Sequence, residues 1–233
     1  MKELAPGLHL LSGFPPNAFN VYLLETDAGA VLIDTATRHA RRRILRQVAG
    51  RELEAIFITH AHRDHAGAMD AVATATNAPV WSSAADAGAL AGEAPEPIPD
   101  PDSLMNRLFG GWWKDHHPVT RRLQEGEVVG SFEVVAFPGH TPGMVGLWRE
   151  SDRAVVCADT MRTVNIYTGL PQVGEMPAAF TCDVSESRRS IRKLAALEAR
   201  LVCPGHGRPL RGDEAVEKVR ALAADLPVEH PTP

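Results

Sequence analysis

The 233-residue sequence has little cysteine, no excess of basic charge and no long apolar run. Three cysteines are too few, and odd in number, for a disulfide scaffold, so we expect the protein to reside in a reducing compartment. With 24 Lys and Arg against 29 Asp and Glu, the net charge is −5, which disfavours non-specific binding to nucleic acid. No uncharged apolar stretch reaches the ~18–20 residues of a membrane helix, and the N-terminus lacks the apolar region of a signal peptide. These absences predict a cytoplasmic protein that binds neither nucleic acid nor membrane.

The composition, at 44% hydrophobic residues, is sufficient for a sizeable buried core. Short apolar runs such as 30–33 and 55–59 predict strands, and amphipathic runs such as 38–49 and 183–200 predict helices. We interpret the whole chain, 1–233, as one domain.

Two segments of the chain repeat one pattern. In each, an Asp ends one apolar strand, a helix follows, and a His lies at the end of the next strand: Asp34 with His60, and Asp159 with His206. We therefore expect a sandwich of two sheets with helices outside, and these polar strand ends at one rim.

A proline-rich excursion at about 93–120 interrupts the pattern. It contains Trp112 and Trp113, which would form either an apolar lid over a site or a helix packed on the edge of the sandwich. Residues 161–180 are expected to be irregular, and Asn165 and Tyr167 within them are candidates for lining a substrate pocket.

The most informative segment contains four candidate metal ligands within six residues: His60, His62, Asp64 and His65. On a helix, His60 and His62 would face away from each other, so both need an extended or looped backbone to reach one ion. The preceding apolar strand supplies that backbone. A loop leading into a helix can then direct Asp64 and His65 at a neighbouring ion.

Three further candidate ligands follow strands later in the chain: His140, Asp159 and His206. Zinc takes three or four protein ligands, so seven residues suffice for two ions that share one bridging Asp. Two divalent ions, two carboxylates and a bridging hydroxide leave a net charge of about +1, which favours an anionic or strongly polarised oxygen substrate. Such a pair of ions lowers the pKa of water and polarises a carbonyl or phosphoryl oxygen.

The motif His60-x-His62-x-Asp64-His65, followed by His140, Asp159 and His206, resembles the metallo-β-lactamase-fold hydrolase superfamily in order and spacing. The resemblance implies an α/β fold, a four-layer αββα sandwich with the metals at one rim of the two sheets. It implies that His60, His62 and His140 hold one metal, that Asp64, His65 and His206 hold the other, and that Asp159 bridges them. Asp34 matches a strand-end Asp that orients the ligands. Zinc is our first choice for both ions, with iron and manganese as alternatives.

Within this superfamily, the chain resembles short glyoxalase-II-like thioesterases and lactonases. The resemblance therefore predicts a dinuclear hydrolase that uses a metal-bridging hydroxide on an ester-like bond of a small molecule, a thioester or a lactone. Asp64 is the predicted catalytic residue, which orients this nucleophile or accepts its proton. Two alternatives stay open: an iron-dependent persulfide dioxygenase, whose members share His60, His140 and Asp159 as an iron site, and a metal-binding protein without catalysis. A homodimer is the candidate assembly.

Overall fold

The first of two large sheets is formed by the N-terminal half of the chain. The computed structural model describes residues 1–12, 18–99 and 115–227. The strands of this sheet are β1 Lys2–Ala5, β2 Leu8–Leu10, β3 Tyr22–Thr26, β4 Gly29–Ile33, β5 Leu53–Phe57, β6 Val80–Ser83 and β7 Val119–Leu123. They lie side by side in chain order, antiparallel from β1 to β4 and parallel from β4 to β7.

The second sheet is formed by the C-terminal half. Its strands are β8 Val128–Val129, β9 Phe132–Ala136, β10 Val145–Arg149, β11 Ala154–Ala158, β14 Leu201–Pro204 and β15 Leu210–Arg211, and their spatial order is β15-β14-β11-β10-β9-β8. A separate hairpin pairs β12 Arg162–Val164 with β13 Pro171–Gly174. Strands β11 and β14 are parallel, as β4 and β5 are, so each sheet brings two carboxyl ends together at its rim.

The helices cover the outer faces of the sheets. Their bounds are α1 Arg41–Val48, α2 Arg63–Ala66, α3 Met69–Thr76, α4 Ala84–Ala91, α5 Val184–Ala196 and α6 Gly212–Asp225. Asp183 begins α5 as predicted, because its carboxylate accepts the N–H of Glu186 at 2.8 Å. No helix in the described part of the chain is long and apolar enough to cross a membrane.

Among the described residues, three apolar clusters separate four layers, which confirms the predicted αββα sandwich. Neighbouring residues of one strand enter different clusters, since side chains alternate across a sheet. Leu23 packs outward against α1 and α3, whereas Leu24 packs between the sheets. The middle cluster joins both sheets through residues such as Phe57 and Phe132, and a third cluster joins the second sheet to α5 and α6.

Two expectations about the loops need correction or limitation. Residues 161–180 are not irregular throughout, because they form the β12–β13 hairpin. The excursion expected at 93–120 ends in β7, which begins at Val119 and pairs with β6. Trp112 and Trp113 lie outside the described residues.

Candidate metal centre

The segment from His60 to His65 makes a tight turn after β5. His62 has extended backbone angles and accepts the N–H groups of His65 and Ala66 at 3.0 and 2.8 Å through its carbonyl. The short helix α2 starts there, so the chain changes from extended to helical within the motif, as the motif spacing requires. The Thr35 N–H donates to the His65 carbonyl at 2.6 Å and ties this turn to the end of β4.

The two strand-end carboxylates lie beside left-handed backbone positions. Asp34 has φ of 60°, and Ala158, directly before Asp159, has φ of 47°. Such conformations are strained for residues other than glycine and cluster at functional sites. Both left-handed positions therefore lie at the carboxyl ends of β4 and β11, where the two acidic side chains are placed.

The structure brings the seven predicted ligands together at this rim. Three overlapping groups each place their ligand atoms within 4.8 Å of one another: His60, His62 and His140; His60, His65 and Asp159; and Asp64, His65 and His206. Asp159 Oδ2 lies between the groups, 3.1 Å from Nε2 of His206 and 3.4 Å from Nε2 of both His65 and His140. All of these side chains are buried except Asp64, which is 31% exposed.

Each of the five imidazoles has its other ring nitrogen held by the protein. The partners are the Thr59 hydroxyl for Nδ1 of His60 (3.0 Å), the Pro97 carbonyl for Nε2 of His62 (2.9 Å), Asp34 Oδ2 for Nδ1 of His65 (2.7 Å), the Thr181 hydroxyl for Nδ1 of His140 (3.4 Å) and the Ala18 carbonyl for Nδ1 of His206. Both hydroxyls donate onward, to Asp34 and to the Pro177 carbonyl, so they accept from the histidines. In the neutral ring, the nitrogen that faces the cluster then carries a lone pair.

Three buried atoms in the cluster have no hydrogen-bond partner in the described ranges: Nε2 of His60, Nε2 of His140 and Oδ1 of Asp159. Buried polar atoms nearly always have a hydrogen-bond partner, so these three atoms indicate that a further group binds here. A donor set of imidazoles and carboxylates suits zinc, iron and related divalent ions. The side chains therefore fit a metal centre.

The carboxylates and imidazoles also shift one another's pKa values. Burial lowers the pKa of His140 to about 3 and holds the pKa of His60 well below its usual range. Burial also acts against the charged form of His206, but Asp159 and Asp64 outweigh it and raise its pKa to about 10. His60 and His140 are therefore neutral near pH 7. Positive charge is favoured beside the two carboxylates, whether protons or metal ions carry it.

Gly205, directly before His206, allows the backbone to approach the cluster closely. A Cβ here would overlap Asp159 Oδ1 and lie 2.6 Å from Cε1 of His65. The backbone is fixed on both sides, because its N–H donates to the Ala158 carbonyl and its carbonyl accepts from the Asn20 N–H, both at 2.8 Å. A side chain at this position would therefore enter the site.

The predicted pocket residues on the hairpin are not part of this cluster. The Asn165 side chain accepts the N–H groups of Tyr167 and Thr168, each at 3.0 Å, and so shapes the hairpin turn. Tyr167 is 74% exposed at the tip. The base of the hairpin does contact the site loop, since the Thr163 N–H donates to the His206 carbonyl at 3.0 Å.

Sequence reasoning missed several residues that touch the ligands or their loops. Glu96 lies near the start of the excursion. Its Oε2 forms an ion pair at 2.7 Å with Nη2 of Arg63, the residue between the predicted ligands His62 and Asp64. Asp86 accepts hydrogen bonds from two ligand loops. No local pattern could have found these contacts, because each joins segments 25 or more residues apart.

Comparison with known families agrees with this geometry. A sequence profile described as Metallo-beta-lactamase superfamily matches residues 15–206. The chain therefore belongs to the metallo-β-lactamase superfamily, as its motif predicted, and is classed with metal-dependent hydrolases.

Particular relatives are consistent with that class. The chain is 29% identical to the probable metallo-hydrolase YflN of Bacillus subtilis, with 96% of this chain and 92% of YflN covered. It is 26% identical to a hydroxyacylglutathione hydrolase of Methylobacillus flagellatus, with 86% and 74% covered. Among solved structures, TTHA1623 in a di-iron-bound form matches with a TM-score of 0.64 and 28% identity, over 88% of this chain and 95% of that one.

Proposed function

We propose that the protein is a dinuclear metal-dependent hydrolase that cleaves an ester-like bond, a thioester or a lactone, in a small molecule. The observation that carries this proposal is the convergence of five imidazoles and two carboxylates, with the outward nitrogen of every imidazole held by the protein. One ion would need three or four of these ligands, so the full set suits two.

The overlapping groups suggest how the ligands divide. His60, His62 and His140 would hold one ion, and Asp64, His65 and His206 the other. Asp159 would bridge them, which its distances of 3.1 to 3.4 Å to histidines of both groups support. Zinc is the metal we propose first. Iron and manganese are the alternatives, and the di-iron form of TTHA1623 gives iron particular weight.

Two bound divalent ions would supply a lowered pKa for a water molecule and polarisation of the substrate carbonyl. The protein's own groups would position the reactants. Asp64 is the most exposed of the seven, and its Oδ2 lies 3.3 Å from Nε2 of His206. We assign it the role of orienting the attacking water or accepting its proton. Asp34 would hold His65 in the correct tautomer through the 2.7 Å contact to Nδ1.

The substrate class rests on the relatives and on the chemistry of the site. A hydroxyacylglutathione hydrolase is among the relatives, and its name describes cleavage of an acyl–glutathione bond. The ligand set favours the hydrolase over the iron-dependent persulfide dioxygenase, which would use His60, His140 and Asp159 alone. A site with one ion on those residues would leave the second group, Asp64, His65 and His206, without an ion.

The test is turnover of a panel of thioesters, lactones and phosphodiesters by the metal-loaded protein in ¹⁸O-labelled water. We expect one solvent oxygen in the acid product of a thioester or lactone, and no consumption of O₂. The chelator-treated protein serves as the blank. Consumption of O₂, or acid without the label, would remove the hydrolase and favour the dioxygenase.

A further inference from the structure

A second buried carboxylate lies behind the metal centre. Asp86 is in the first turn of α4 and is 1% exposed. The sequence Ser83-Ala84-Ala85-Asp86 has the spacing of a helix cap, and Ser83 Oγ does accept the Asp86 N–H at 3.2 Å. The Asp86 carboxylate, however, turns away from its own helix.

Both oxygens of Asp86 accept hydrogen bonds from the loops that carry predicted ligands. Oδ2 accepts the N–H of Ala61, which lies between His60 and His62, at 2.8 Å, and the hydroxyl of Thr141, next to His140, at 2.7 Å. Oδ1 accepts the Gly143 N–H at 2.8 Å. One carboxylate therefore joins two loops that come from different sheets.

The loops pack tightly at this junction. A Cβ on Gly143 would overlap Ser83 Oγ and Asp86 Oδ1 and lie 2.7 Å from the Asp86 nitrogen. A second link between the loops, from the Val145 N–H to the Thr59 carbonyl at 3.0 Å, lies on the strand side of the ligands. Asp86 is the link directly beside His60, His62 and His140, and its three donors compensate its buried charge.

We propose that Asp86 is a positioning residue that sets the separation between the loop of His60 and His62 and the loop of His140. This inference rests on the proposed function, because it concerns the ion that those three histidines would hold. An amide at this position cannot do the same work, since its NH₂ would face a backbone N–H on one side. The loops would then separate, and the three imidazoles would no longer fit one ion.

The experiment measures metal affinity by competition with a chromophoric chelator, using zinc, on folded protein. We expect Asp86→Asn to lower the affinity for one of the two zinc ions by about 10- to 100-fold, the range known for residues that orient metal ligands. Thr141→Val, which removes one donor to Asp86, should lower this affinity less. Thr141→Ser, which keeps the hydroxyl, should bind zinc with the affinity of the unchanged protein. Asp70→Asn is the matched control, because Asp70 is also in the first turn of a helix but pairs with His117. The visible spectrum of the cobalt-substituted protein should change for Asp86→Asn and not for Asp70→Asn.

Zinc affinity and a cobalt spectrum unchanged in folded Asp86→Asn would overturn the inference, even if its melting temperature fell. If Asp86→Asn does not fold, equal affinities for Thr141→Val and Thr141→Ser overturn it, and a loss in Thr141→Val alone supports it. If the unchanged protein does not bind zinc, the same titration is run with iron and manganese, and failure to bind any of the three would overturn the proposed function and this inference with it.

Discussion

Asp34→Asn tests how the protein prepares one histidine for a metal. Oδ1 of Asp34 accepts the backbone N–H of Thr59 at 2.8 Å, and Oδ2 faces Nδ1 of His65 at 2.7 Å. The Thr59 N–H is an obligatory donor, so the oxygen of an asparagine must stay there. The asparagine NH₂ then faces His65, which can accept it only if its proton moves to Nε2, the nitrogen that faces Asp159 at 3.4 Å.

The size of the effect follows from that change of tautomer. Losing the outer partner of a metal-binding histidine typically costs 10- to 100-fold in affinity or activity, or about 1.4 to 2.8 kcal/mol. The backbone should be unaffected, because Asn accepts the left-handed conformation that Asp34 has at φ 60°. His60 should keep its tautomer, because the Thr59 hydroxyl can still donate to the asparagine oxygen. The variant should therefore bind the ion held by His65 more weakly and bind the other ion with unchanged affinity.

Isothermal titration of the metal-free variant with zinc measures both equivalents. Asp70→Asn is the control, since Asp70 makes a similar contact to Nδ1 of His117 at 3.1 Å outside the cluster. Binding of both ions by Asp34→Asn within about twofold of the unchanged protein would refute a role for Asp34 in setting the tautomer of His65. Equal weakening of both ions would show that Asp34 supports the whole rim and not His65 in particular.

Three other changes address the same centre. Gly205→Ala should abolish metal binding, because its methyl would enter the site, whereas Gly88→Ala should bind metal normally; metal analysis of both purified variants decides. Asp159→Ala should reduce occupancy of both ions and abolish turnover, and a variant that kept one full equivalent would contradict the bridging role. Glu96→Gln removes the charge from the pair with Arg63, so we expect the free energy of unfolding to fall by at most about 1 kcal/mol in urea titration. An unchanged free energy of unfolding would show that this pair does not stabilise the segment.

Much of the fold was predictable because its strongest signals are local. The apolar strands 30–33 and 55–59 and the cap at Asp183 follow from residues a few positions apart. The edge of the first sheet was harder, since β1 and β7 carry charged side chains and gain their stability from pairing with β2 and β6. The β12–β13 hairpin was missed because its turn depends on the Asn165 side chain and its base on the loop of His206.

In the site too, local sequence signals reveal some residues and not others. The seven candidate ligands stand out in the sequence, since His and Asp follow apolar strands at close spacing, and the structure brings them together. Their supports do not stand out. Asp86 has the local pattern of a helix cap, and Thr59 that of an ordinary strand residue. The Pro97 carbonyl faces His62 only because the chain returns to the rim after 35 residues.

The central claim is a centre of two metal ions, and their number per chain tests it most directly. Elemental analysis after reconstitution in excess zinc, and separately in excess iron or manganese, should give two ions per chain for at least one metal. One tightly bound ion per chain, unchanged in excess of every metal, would contradict the account.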